Sequence, residues 1–283
     1  MSNIETAIDV DAKQKEAAIS KWRQTPFSNR FMFRLVMEKP EICKRTLELL
    51  LGIDIEELGY VEGEKSFEAL LSSKGIRLDV YIKDKLGNVF DLEMQASDAD
   101  HEALGKRTRY YQSIVDADSL KKGVAYAQLP KSIILFVCMY DPYGKNLVRY
   151  TFSNICHEDK ELELGDLSSK VIVNTYGDRA GFNEDICNFL DYINTGEAKD
   201  DFTKQIDAEV DVQRSDEGKA VLYMTWEQER MEAEAKGVKR GRQETKVEDV
   251  KNLMETMNLT MEQAMNALKL DEAARNNCIK ALA

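Results

Sequence analysis

The sequence predicts an α/β domain followed by a helical extension. Three observations carry the prediction. Helix-period stretches alternate with apolar runs of strand length. The run "KSIILFVCMY" is continuously apolar and β-branched, as in a central strand covered on both faces. From Glu184 onward the pattern is mainly helical. The 283 residues are 43% hydrophobic and 32% charged, which is globular and leaves room for one large domain with an appendage.

The elements follow in order. Residues 1–25 read as an N-terminal arm or loose helix. "FSNRFMFRLVMEKPEICKRTLELLLG" reads as two helices, the first capped by Ser28, with a break at Pro40 and a close at Gly52. "YVEGEKSFEALL" reads as a strand with a loop. "RLDVYIKDKLGNVFDLEMQ" reads as a hairpin with Gly87 in a left-handed position. "HEALGKRTRYYQSIVDADSL" is helical, with Ala103, Arg107, Tyr110, Tyr111 and Ile114 on one face. "DPYG" is a turn, and "LVRYTF" and "KVIVNTY" are strands. The glycine-interrupted basic stretch 236–246 reads as a solvated linker or a fraying helix. Thr260 with Gln263, and Asp271, are caps for two short helices beyond it. The expected organisation is an arm at 1–25, a core at 26–200, a helical extension packing on the core at 201–235, a basic linker at 236–246 and a small helical tail at 247–283.

The hairpin poses the functional question. Side chains alternate along a strand, so Arg77, Asp79, Tyr81 and Lys83 share one side, as do Val89, Asp91, Glu93 and Gln95. The apolar sets must face the same way, and a slip of one residue would reverse a whole strand. Pairing Lys83 with Val89 meets this condition and sets Asp79 opposite Glu93. Facing carboxylates repel. They belong on a solvated outer face diluted by Arg77 and Lys83, or around a divalent cation held by hard oxygen ligands. Periodicity does not choose between the two.

Composition excludes other classes. The net charge of −12 argues against a general nucleic-acid coat, though not against a local site holding a cation. Five scattered cysteines without a C-x-x-C pair fit a reducing cytoplasm and no structural zinc. No signal peptide is recognisable, and no apolar run is long enough for a membrane span. His101 and His157 read as surface residues, and no nucleophile elbow, phosphate-binding loop or dinucleotide fingerprint occurs.

"SNRFMFRLVME", "KGIRLDVYIKDKLGNVFDLEMQ", "KRTRYYQSIVDADSLKKGVAY", "DPYGKNLVRYTF" and "VIVNTYG" together resemble the Rpn family of recombination-promoting nucleases, transposase-like members of the PD-(D/E)XK superfamily. The resemblance spans residues 26–235. It implies a mixed sheet flanked by helices and a Mg²⁺-dependent DNA endonuclease, with Mn²⁺ as a substitute metal, acting in recombination or in defence against foreign DNA. It implies Asp79 and Glu93 as catalytic metal ligands, the Met94 carbonyl as a third ligand, and Gln95 as the residue that positions the attacking water. Gln95 replaces the superfamily lysine and cannot take a proton at neutral pH. Arg30 is a further departure, because relatives often carry an acid there, and Glu64 is a substitute ligand or an exposed loop acid. Lys106, Arg107 and Arg109 are the candidate phosphate contacts, with Arg107 turned toward the carboxylates. Tyr110 and Tyr111 stack on bases or, by the stronger reading, pack in the core. Expected partners are DNA, a second copy of the chain, and a protein bound through the tail. The alternative is a degenerate nuclease fold that binds DNA or protein without cutting.

Overall fold

The computed structural model describes residues 16–67, 76–97 and 103–282. Packing divides the chain into two units, meeting in sequence at Lys219 and Ala220.

In the first unit, helix α1 is described over residues 16–23. Trp22 is fully buried there, and its indole N–H donates to the Gln213 carbonyl at 3.0 Å. A large ring with one polar atom is stable inside only when that atom is satisfied. This end of the expected arm is therefore docked, while residues 1–15 lie outside the described residues. Helix α2 (Arg30–Met37) is capped by Asn29 rather than Ser28, its side-chain oxygen accepting from the Phe31 N–H at 3.0 Å. Pro40 ends that run and serves as the first residue of α3 (Pro40–Leu51), where its missing N–H costs nothing. Gly52 closes α3 at φ 69°, as its sequence position implies.

Six described strands form a mixed sheet in the order β1 (Leu58–Gly63), β4 (Val80–Asp84), β5 (Val89–Gln95), β6 (Ser132–Cys138), β8 (Ser168–Asn174), β7 (Arg149–Phe152). β5–β6 and β6–β8 are parallel and the other pairs antiparallel. A short separate ribbon joins β2 (Ser66–Phe67) to β3 (Ile76–Arg77). Every residue of β6 is buried, which accounts for its uninterrupted apolar sequence. The β4–β5 register is the one the hairpin predicts: Lys83 pairs with Val89, Ile82 with Phe90 and Val80 with Leu92. Gly87 turns the loop at φ 86°.

Helix α4 (Leu104–Ser119) connects β5 to β6 and packs on the sheet. Leu104, Thr108, Gln112 and Val115 are its buried residues. The buried stripe is thus rotated from the aromatic face read in the sequence, and Tyr110, Tyr111 and Ile114 pack at its margin. Gln112 occupies the centre because its amide donates to Asp116 at 3.0 Å and also reaches Ser132 on β6. Helices α5 (Glu184–Thr195) and α6 (Asp201–Ser215) follow. α6 packs on α2, and Arg214 donates to the Thr25 carbonyl at 2.9 and 3.0 Å.

Helix α7 (Glu217–Met257) supplies much of the second unit, with α8 (Met261–Ala267) and α9 (Glu272–Leu282). Val250, Ala264, Met265 and Cys278 form its own apolar centre. Both predicted caps are present: the Thr260–Gln263 capping box, and Asp271 accepting from the Ala274 N–H at 2.8 Å. The stretch 236–246, expected as a solvated linker or a fraying helix, is helical throughout. Two interior glycines cost roughly 1 kcal/mol each, and good helix formers with exposed ion pairs such as Arg240–Glu244 at 2.8 Å keep the helix continuous. No described helix is long and apolar enough to cross a membrane.

Candidate active site

The site lies where β4 gives out beside β5. The last antiparallel pair is Val80–Leu92, so the next residues along, Asp79 and Glu93, are freed from the regular ladder and bridge it with side chains. The Asp79 N–H donates to Glu93 Oε1 at 2.7 Å, and the Met94 N–H donates to Asp79 Oδ2 at 3.1 Å. Each carboxylate thus caps the other strand's backbone. Both are buried, at 3% and 0% exposure, so the solvated-face reading is excluded.

Buried carboxylates need compensating charge. Two arginines supply it. Arg30, the first residue of α2, pairs through Nε with Asp79 Oδ1 and through Nη2 with Glu93 Oε2 at 3.6 Å. Arg107 on α4 reaches the same Glu93 oxygen at 3.4 Å. It also donates to Gln95 Oε1 at 3.0 Å and to the Tyr111 hydroxyl at 3.3 Å, and its guanidinium lies 4.7 Å from the Phe136 ring centre. Gln95 in turn donates to the Ser97 carbonyl at 2.9 Å. Arg107 and Gln95 thus form one linked brace under Glu93.

Asp91 is the acid that motif reading passed over. It is fully buried two residues before Glu93 on the same side of β5, and among the described residues neither of its carboxylate oxygens has a hydrogen-bond partner. The strand alternation already carried the signal, since Asp91 shares its side with Glu93. Burial, with the neighbouring charges of Glu93 and Asp79, raises its pKa well above the carboxylate range. Burial and the Asp79 charge push Glu93 up to about 7, against the pull of Arg30 and Arg107. Burial also raises Asp79, with Arg30 opposing.

The remaining candidates separate. Lys106 and Arg109 are exposed on the outer side of α4, whereas Arg107 faces the carboxylates as expected. Tyr111 packs against Phe136 with ring centres 6.0 Å apart. Glu64 donates its backbone N–H to the Asp79 carbonyl at 2.9 Å, but its carboxylate is paired with Arg34 and, at 3.5 Å, with Arg77. His157 is exposed, and His101 lies outside the described residues.

The donor chemistry suits a hard divalent cation: two carboxylates, and the Met94 carbonyl, which leaves β5 on the same edge as the Met94 N–H that meets Asp79. Each oxygen of Asp79 and Glu93, however, already has a partner, and the Arg30 guanidinium fills the position between them. Among the described residues no group of three or more His, Cys, Asp or Glu is arranged to hold a metal. The residues fit a divalent cation once Arg30, whose side chain is 41% exposed, turns out to solvent.

No curated protein and no solved structure matches the chain significantly. The family model for the PD-(D/E)XK nuclease family transposases does match, from residue 31 to 164, and this span contains α3, β1, the hairpin, α4, β6 and β7. Asp79, Glu93, Gln95 and Arg107 all fall inside it, and Arg30 lies one residue before it. Over residues 31–164, a little under half of its length, the chain is similar to the PD-(D/E)XK nuclease family transposases.

Proposed function

We propose that the protein is a divalent-metal-dependent DNA endonuclease. One observation supports this above the rest: two buried carboxylates from adjacent strands converge on one point, each capping the other's backbone. Asp79 and Glu93 hold the cation, with the Met94 carbonyl beside them. A bound Mg²⁺ or Mn²⁺ would supply Lewis acidity, lowering the pKa of water and offsetting charge on the phosphate. The protein's own residues orient the reaction. Gln95 uses one amide N–H on Ser97, and its second N–H can fix a water next to the carboxylates. Arg107, braced by Gln95 and Tyr111, keeps Glu93 aligned. Lys106 and Arg109 stand exposed to meet phosphates, which would position the duplex without reading its sequence.

A second reading, DNA binding without cleavage, draws on the arginines that already neutralise both carboxylates. Nicking of supercoiled plasmid with Mg²⁺, Mn²⁺, Ca²⁺ or EDTA separates the two. Cleavage with Mg²⁺ or Mn²⁺, absent with EDTA, is expected. DNA binding of equal strength with and without metal, and no nicking, would leave only the second reading.

A further inference from the structure

Resting on that proposed function, we infer that Arg30 is a tethered counter-cation that competes with the divalent ion for Asp79 and Glu93, so that metal enters only as Arg30 swings out. Arg30 pairs with both carboxylates at once, whereas among the described acids Arg107 pairs only with Glu93. The two arginines are held differently. Arg107 is 21% exposed and gripped by Gln95, Tyr111 and the face of Phe136. Arg30 is 41% exposed, and among the described residues its hydrogen-bond partner is Asp79 alone. One arginine is a fixed part of the wall and the other is a latch.

The chemistry explains why such a latch is useful. Asp79 and Glu93 are buried, and two unpaired charges there would be strongly destabilising. A resident guanidinium keeps the metal-free fold intact. Because Arg30 is part of the same chain, its effective concentration at the carboxylates is high, and an incoming ion must displace it. Its fork also matches a carboxylate better than a lysine ammonium would. Arg30 is thereby a positioning residue: it sets the metal concentration at which the site fills.

The test is calorimetric titration of the full-length protein with Mn²⁺, comparing wild type, Arg30→Gln and Arg30→Gln/Asp79→Asn. Arg30→Gln is expected to bind Mn²⁺ at least tenfold more tightly than wild type, and the double variant not at all. Metal-free Arg30→Gln is expected to melt below wild type and to recover on Mn²⁺ addition. Should that variant fail to fold without metal, wild type supplies the second measurement. An arginine-directed dicarbonyl, read by peptide mass spectrometry, is expected to label Arg30 several-fold faster with saturating Mn²⁺. Equal Mn²⁺ affinity in wild type and Arg30→Gln, or unchanged Arg30 labelling while Mn²⁺ binds, would overturn the latch and leave the metal site standing. No Mn²⁺ binding by either protein would overturn the metal reading, and the latch with it.

Discussion

Charged residues crowd two parts of this molecule, the β4–β5 hairpin and the middle of α7, to opposite effect. Along α7 the pairs are local and exposed. Arg230–Glu234 at 3.7 Å, Lys236–Glu232 at 4.0 Å and Arg240–Glu244 at 2.8 Å are all one helical turn apart, with every partner more than half exposed. In the hairpin the partners come from distant parts of the chain, and the acids are buried. Water screens the first set, so each pair is worth only tenths of a kcal/mol. The second set sits where desolvation makes an unpaired charge costly. Charge along α7 supports a helix locally, whereas in the hairpin it neutralises buried acids across distant segments, as the proposed function requires.

The strongest way to break this comparison is at the carboxylates. Asp79→Asn and Glu93→Gln should each lower plasmid cleavage by about a hundredfold or more, as expected for losing a ligand or electrostatic stabiliser. Retained cleavage in either would remove that residue from the chemistry. Next in size, Arg107→Ala should destabilise the first unit by about 1–3 kcal/mol, since it removes one of the two arginines on Glu93 and undoes the Gln95 brace. Urea melts in EDTA would measure it, and a loss below about 1 kcal/mol would assign Glu93's compensation to Arg30 alone.

A pH series sharpens the same contrast. Glu93 has its folded pKa raised to about 7 from an ordinary 4.5, so the folded state holds the proton more tightly than the unfolded state. Its stabilising contribution is therefore complete below about pH 4.5 and lost as pH rises through 7. The loss amounts to about 3 kcal/mol, and Asp79 and Asp91, also raised, act in the same direction. Asp200, which caps α6 and has a lowered pKa, acts oppositely but only in acid, as its carboxylate protonates. Metal-free wild type should lose stability between about pH 4.5 and 7, and Glu93→Gln should flatten that slope. An unchanged slope would show that Glu93 is ionised across the range. The smallest effect belongs to α7. Arg240→Ala should shift stability by no more than about 0.5 kcal/mol, a value that thermal melts at low and high salt can check. A larger loss would mean that α7 depends on its ion pairs.

Much of the fold was legible because local rules and global packing agree. The apolar alternation of Leu78, Val80, Ile82 against Phe90, Leu92, Met94 restricts the hairpin to registers that keep both sets on one face, and the pairing chosen around Gly87 is the one observed. The break at Pro40, the Gly52 close, and the caps at Thr260 and Asp271 were equally readable, because each is the chemistry of a few neighbouring residues. The sequence also puts Asp79 opposite Glu93, because cross-strand position follows from register alone.

Burial was decided elsewhere. Alternation implies one apolar and one polar side, yet α4 covers the side that carries Asp79, Asp91 and Glu93, so a polar pattern became a closed acidic site. The centre of α4 was misread for a related reason. Gln112 looks like a surface residue until Asp116 and Ser132 are there to accept from its side-chain NH₂. The continuity of α7 across two glycines was hidden too, since glycine marks a weak point in a helix without requiring a break. Sequence alone determined which residues stand opposite one another, because strand register and helix caps are short-range geometry. Only the tertiary structure decided that Arg30 lies on Asp79, since which cation neutralises a buried acid depends on chain segments 49 residues apart meeting where water is excluded.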